Sequence, residues 1–102
     1  IKPIITKTAN FSVAANEIGK YIRVNNASDI TCTIPADATF FTRPGTTTVF
    51  EQVGVGKIIF DDAINGTLIS SGGKYKTSGA RAVAYLTKVG YDDTTLSGDL
   101  IV

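Results

Sequence analysis

Arg43-Pro44-Gly45-Thr46-Thr47-Thr48-Val49-Phe50-Glu51-Gln52-Val53-Gly54-Val55-Gly56-Lys57-Ile58-Ile59-Phe60 decides the fold class. A Pro-Gly turn opens the stretch, two runs rich in Val, Ile, Phe and Thr follow, and a Gly-x-Gly break separates them. That pattern predicts a hairpin at the centre of an all-β domain. Within it Val49, Glu51 and Val53 share one face of a strand and Thr48, Phe50 and Gln52 the other, so neither face is purely apolar. Two readings follow. Either Glu51 or Gln52 is buried with partners, because an unpaired buried carboxylate is costly, or both faces are covered, one by the core and one by a neighbouring chain.

Outward from this stretch, alternation with period two recurs roughly every ten residues, bounded by Gly, Asn, Asp and Pro. Ile4 to Val13 reads as a bent strand or two short ones, broken at Ala9-Asn10. Tyr21-Ile22-Arg23-Val24 alternates, with Ile22 and Val24 on one face. Asn25 to Asp29 makes a turn, and Ile30, Cys32 and Ile34 then face the core while Thr31 and Thr33 face water. Asn65-Gly66 is a second hairpin signal. Ser71 to Gly79 reads as an exposed polar loop, and Ala80 to Val89 as the longest strand, with Ala82, Ala84 and Leu86 opposite Val83, Tyr85, Thr87 and Val89. A last strand, Thr95 to Val102, is interrupted at Gly98-Asp99. The expected architecture is a single antiparallel β-sandwich domain over residues 1–102, of jelly-roll or Greek-key type, with about eight or nine strands.

The totals narrow the function classes. The chain has 102 residues, a formal net charge of +1, one cysteine and no histidine. The basic residues are scattered, which argues against nucleic acid, and no apolar run reaches the ~20 residues of a membrane helix. Without histidine the common zinc sets and a Ser/His/Asp triad cannot be built, and Cys32 in a Thr-Cys-Thr-Ile pattern reads as a small buried apolar residue. Asp61-Asp62 and Asp92-Asp93 are the only dense carboxylates, and turn chemistry explains them before calcium or catalysis does. Gly54-x-Gly56 precedes a strand, so it is no phosphate loop. No enzyme activity, catalytic residue, metal or cofactor is expected. The chain opens on Ile1, which reads as a trimmed chain or the ordered module of a longer polypeptide.

What remains is binding and assembly. Phe40-Phe41 cannot both point inward, and Tyr21, Phe41, Tyr75 and Tyr91 are candidates for exposed aromatics that hold subunits together or stack on sugars. The candidate contact residues are Phe40, Phe41, Arg43, Glu51, Gln52, Tyr75 and Tyr91.

Several pieces in order carry a resemblance: Lys20-Tyr21-Ile22-Arg23-Val24-Asn25-Asn26-Ala27, Thr33-Ile34-Pro35, Arg43-Pro44-Gly45-Thr46, Glu51-Gln52-Val53-Gly54-Val55-Gly56-Lys57-Ile58 and Ser97-Gly98-Asp99-Leu100. Together they span almost the whole chain and resemble the small β-modules of tailed-bacteriophage virion proteins, among them head-fibre or capsid-decoration proteins and parts of tail fibres. In that pattern an aromatic, commonly Trp, precedes the final Ser-Gly-Asp-Leu, where Thr94-Thr95-Leu96 stands here. The resemblance implies a non-enzymatic component on the exterior of a virion, assembled in the host cytoplasm as a homotrimer and attached to other capsid or fibre proteins. Its alternative is a tail-fibre receptor-binding module that recognises host-surface glycans. The lack of disulfide potential fits assembly in a reducing compartment.

Overall fold

The structure, a computed structural model, describes residues 3–35, 43–62, 68–90 and 93–102. Among them lie eleven strands: β1 (Ile4–Lys7), β2 (Phe11–Ser12), β3 (Tyr21–Val24), β4 (Ile30–Ile34), β5 (Thr47–Gln52), β6 (Ile58–Asp62), β7 (Leu68–Ser70), β8 (Lys76–Thr77), β9 (Val83–Gly90), β10 (Asp93–Gly98) and β11 (Leu100–Ile101). The only helical segments in the described residues are two 3-10 turns, Ala15–Glu17 and Ser71–Gly73, and no helix there is long and apolar enough to cross a membrane. A six-stranded sheet in the order β1-β3-β5-β9-β10-β7 faces a five-stranded sheet in the order β11-β8-β6-β4-β2. This is the expected all-β sandwich, with eleven strands in place of eight or nine. The surplus comes from β2, β8 and β11, which are two residues long and too short to carry a period.

The chain changes sheet at almost every connection, so the first six strands wind as a flattened coil. β1, β3 and β5 stack in parallel in one sheet, and β2, β4 and β6 do so in the other. The expected antiparallel pairing is confined to the second half, where β9 pairs with β5 and β10, and β8 pairs with β6 and β11. Half-buried strands alternate with period two whether their neighbours run parallel or antiparallel, so the pattern alone could not separate the two.

The expected central hairpin is likewise corrected, because β5 and β6 lie in different sheets. The Gly54-Val55-Gly56 segment is a corner of the coil, seated on the Asn25–Asp29 corner of the preceding turn. A Cβ on Gly56 would stand 2.0 Å from the Ser28 carbonyl oxygen, so only glycine allows this approach. The corners are laced together by the Gly56 amide on the Asn26 carbonyl (2.9 Å), the Lys57 amide on Asp29 Oδ1 (2.8 Å) and Asn26 Nδ2 on the Thr8 carbonyl (2.9 Å). The Asn65-Gly66 hairpin signal lies outside the described residues.

Between the sheets sits one apolar core. Ile22, Val24, Phe50, Ala84, Leu86 and Leu96 come from the larger sheet and Ile30, Cys32, Ile34, Ile58 and Phe60 from the smaller. Phe50 and Phe60 meet edge to face across the layers, with ring centroids 5.1 Å apart. Ile30, Cys32 and Ile34 point inward and Thr31 and Thr33 are half-buried, and the alanine face of β9 is also the inner one. The Ser71–Gly79 segment is mostly exposed, as expected, but departs from that at two positions. It contains β8, Thr77 is fully buried, and Tyr75 packs against the core.

Candidate functional site

Alternation along the central strand assigns its side chains. Thr48, Phe50 and Gln52 turn inward, and Thr47, Val49 and Glu51 turn to the outer face of the larger sheet. Gln52 is completely enclosed. Its Oε1 accepts the Thr77 hydroxyl at 2.5 Å, and its Nε2 donates to the carbonyls of Gly54 (3.0 Å) and Val55 (3.3 Å). The amide that the sequence marked as a contact residue therefore works inside the chain, bridging the sheets and holding the glycine corner.

Glu51 takes the opposite direction yet is only 8 % exposed. Its neighbours cover it. Oε1 accepts the Tyr21 hydroxyl at 3.0 Å and Arg23 Nε at 3.1 Å, and Oε2 accepts Arg81 Nη1 at 2.8 Å. Burial pushes the Glu51 carboxyl up, but the hydrogen bonds from Arg81, Tyr21 and Arg23 outweigh it and hold the carboxyl below its ordinary range. Tyr21 shifts the other way. Burial and then the hydrogen bond to the Glu51 carboxylate raise its phenol.

Strand register turns these residues into rows. Ile4, Tyr21, Val49, Tyr85 and Ser97 lie side by side across β1, β3, β5, β9 and β10. On one side runs Thr6, Arg23, Glu51 and Val83, and on the other Thr47, Thr87, Thr95 and Ile69. Thr47 and Thr87 bond each other through their hydroxyls at 3.3 Å. Ile4 is 66 % exposed, Ile69 50 % and Tyr85 43 %, so this face carries several of the large exposed apolar side chains of the described residues, while Val55, Ile101 and Val102 are exposed elsewhere. Val89 extends the same side of β9.

The other candidates fall elsewhere. Arg43 is exposed in the turn before β5, its carbonyl accepting the Thr46 amide. Tyr75 points into the fold, its hydroxyl donating to the Leu68 carbonyl at 3.0 Å. Phe40, Phe41 and Tyr91 lie outside the described residues. Among the carboxylate pairs, Asp62 accepts the Leu68 amide at 2.8 Å. Among the described residues no three His, Cys, Asp or Glu side chains converge as a metal site. Cys32 is a free thiol, fully buried.

Tyr85 and Ile4 escaped the candidate set, though a signal was present. Tyr85 shares its face of the longest strand with Val83, Thr87 and Val89, opposite an alanine face that packs inward, so four sizeable side chains were left on the outer side. Arg81 carried no signal, since its contact to Glu51 joins residues thirty positions apart; its own φ is 71°.

A recess of about 440 Å³ opens beside β2, next to Asn10, Phe11 and Thr31. Asn10 Oδ1 there already accepts the Thr31 amide at 2.9 Å, which makes it part of the sheet edge. No protein-family model matches the chain, and neither curated proteins nor solved structures give a match.

Proposed function

We propose that the chain is a non-enzymatic structural module of a phage virion, a capsid-decoration or head-fibre component that works by homotrimeric assembly and attachment to the particle. The observation that carries this reading is the outer face of the larger sheet, where apolar side chains are exposed while Glu51 is paired with Tyr21 and Arg23, and Thr47 with Thr87. A face of that kind suits a protein that acts by being covered. The ordered motifs that resemble phage β-modules supply the biological setting. Two of them do architectural work here, Gly54-Val55-Gly56 as a close-packed corner and Ser97-Gly98-Asp99-Leu100 as the point where the chain passes from β10 to β11.

A tail-fibre module that recognises host-surface glycans is the second reading, favoured by the open ring of Tyr85. The deciding experiment is light scattering of the purified chain, alone and with capsids. A trimer that binds capsids stoichiometrically supports decoration, and a trimer that ignores capsids but binds on a glycan array supports the tail fibre. A monomer that binds neither removes both.

A further inference from the structure

We propose that the outer face of the six-stranded sheet, centred on the Ile4–Tyr21–Val49–Tyr85 row, is the surface through which one copy of this chain packs against another. The inference rests on the self-association part of the reading above and assigns it a place; a face stacked on its own copy is a two-fold contact, so it pairs copies and is distinct from the contact that closes a trimer.

Size is the first argument. Six strands at ~4.8 Å spacing, with three outward rows of side chains, give a face of about 24 Å by 20 Å, or roughly 500 Å² per copy. Two such faces bury about 1,000 Å², the lower bound for a specific interface.

The cost of drying the face is the second. Burying a polar group is expensive where it loses its partners; the Glu51 carboxylate and the Thr47 and Thr87 hydroxyls keep theirs within the chain, whereas the Arg23 and Arg81 side chains, 36 % and 71 % exposed, still face water. Both oxygens of Glu51 are occupied by Tyr21, Arg23 and Arg81, and the Thr47 and Thr87 hydroxyls hold each other. Covering the face would therefore remove Ile4, Tyr85 and Ile69 from water without stranding that carboxylate.

Shape admits a second copy. Two sheets of the same hand and twist stack face to face with their strands about 30° apart, as in any aligned sandwich, so a second copy of this surface already has the curvature needed to fit it.

The test uses Tyr85→Arg and Thr95→Arg, which place charge on the face at exposed positions, and Val55→Arg, which places the same charge on the exposed corner away from it. Circular dichroism and thermal melting establish that each variant folds. Sedimentation equilibrium at micromolar concentrations then reads the mass against the 10.8 kDa of one chain. The unmodified protein and Val55→Arg should sediment as the same oligomer. Tyr85→Arg and Thr95→Arg should dissociate at least tenfold more readily. An oligomer that both face variants leave intact, or that Val55→Arg disrupts equally, overturns this face and leaves the assembly reading standing. A single-chain mass for the unmodified protein overturns the inference together with self-association, whereas attachment to particles is decided separately by the capsid-binding measurement.

Discussion

Thr77 Oγ1 donates to Gln52 Oε1 at 2.5 Å and accepts the Ile58 amide at 2.8 Å, so a single hydroxyl joins β8 to the central strand of the opposite sheet and to the start of β6. Both contacts are buried. Replacing Thr77 with Val keeps the shape and leaves the Gln52 carbonyl and the Ile58 amide without a partner, at about 1–3 kcal/mol for each group. Urea unfolding should therefore show Thr77→Val destabilised by about 3 kcal/mol, with Thr77→Ser much closer to the parent. A Thr77→Val variant within about 0.5 kcal/mol of the parent would mean that the bridge contributes nothing.

How much of this arrangement was legible depends on which residues carried a period. Ile30, Cys32 and Ile34, or Ile22 and Val24, announce their faces because each alternates with a polar or half-polar neighbour. Gln52 and Glu51 were legible as a problem, one polar residue on each face of a central strand, but not as a solution. The solution needs Thr77 from one long-range contact and Arg23 and Arg81 from another. Topology was hidden for a different reason. Gly54-Val55-Gly56 looks like a hairpin loop, and only its close seat on Asn26 and Ser28 reveals a corner between two sheets. The outer-face rows are a product of register, which joins Ile4, Tyr21, Val49 and Tyr85 from four separate segments.

Gly56 and Gly45 separate steric need from backbone need. A Cβ at Gly56 would collide with the backbone of Ser28, which cannot move without opening the corner, whereas Gly45 has open space around it but sits at φ 90°. Gly56→Ala should cost about 3 kcal/mol or more through overpacking. Gly45→Ala should cost only about 1–2 kcal/mol, from the left-handed backbone alone. Thermal melts of the two variants check the order, and a smaller loss at Gly56 would show that the corner can shift.

Cys32 is enclosed by the core, where burial pushes its thiol well above the ordinary range. A thiol held protonated and out of reach does not attack a disulfide reagent. The native protein should give no thiol signal on the time scale of mixing and one equivalent once denatured. Cys32→Ser should be destabilised by about 1–3 kcal/mol, because it buries a hydroxyl in an apolar site. Rapid native labelling would indicate that the sheets part readily around β4.

Acid should loosen the fold through two carboxyls. Glu17 and Glu51 each have a folded-state pKa held below the ordinary 4.5 despite the opposing effect of burial. Glu17 is held down by Lys7 and the Ala14 amide, and Glu51 by Arg81, Tyr21 and Arg23. A depressed pKa contributes stability that is fully present above the unfolded value and is lost as pH falls through the folded one. Melting temperature should therefore hold from neutral pH down to about 5 and decline below the ordinary carboxyl value. Glu51→Gln should cost about 1.5–3 kcal/mol at pH 7, the worth of hydrogen bonds to a charged group, and its gap from the parent should narrow as the pH approaches 3. At the alkaline end the sign reverses for Tyr21, whose raised phenol contributes stability below its ordinary 10 and loses it as pH climbs beyond. Melting curves of the parent, Glu51→Gln and Tyr21→Phe across this range test both limbs. An acid limb that Glu51→Gln leaves equally steep would place the responsible proton elsewhere, with Glu17 the next residue to replace.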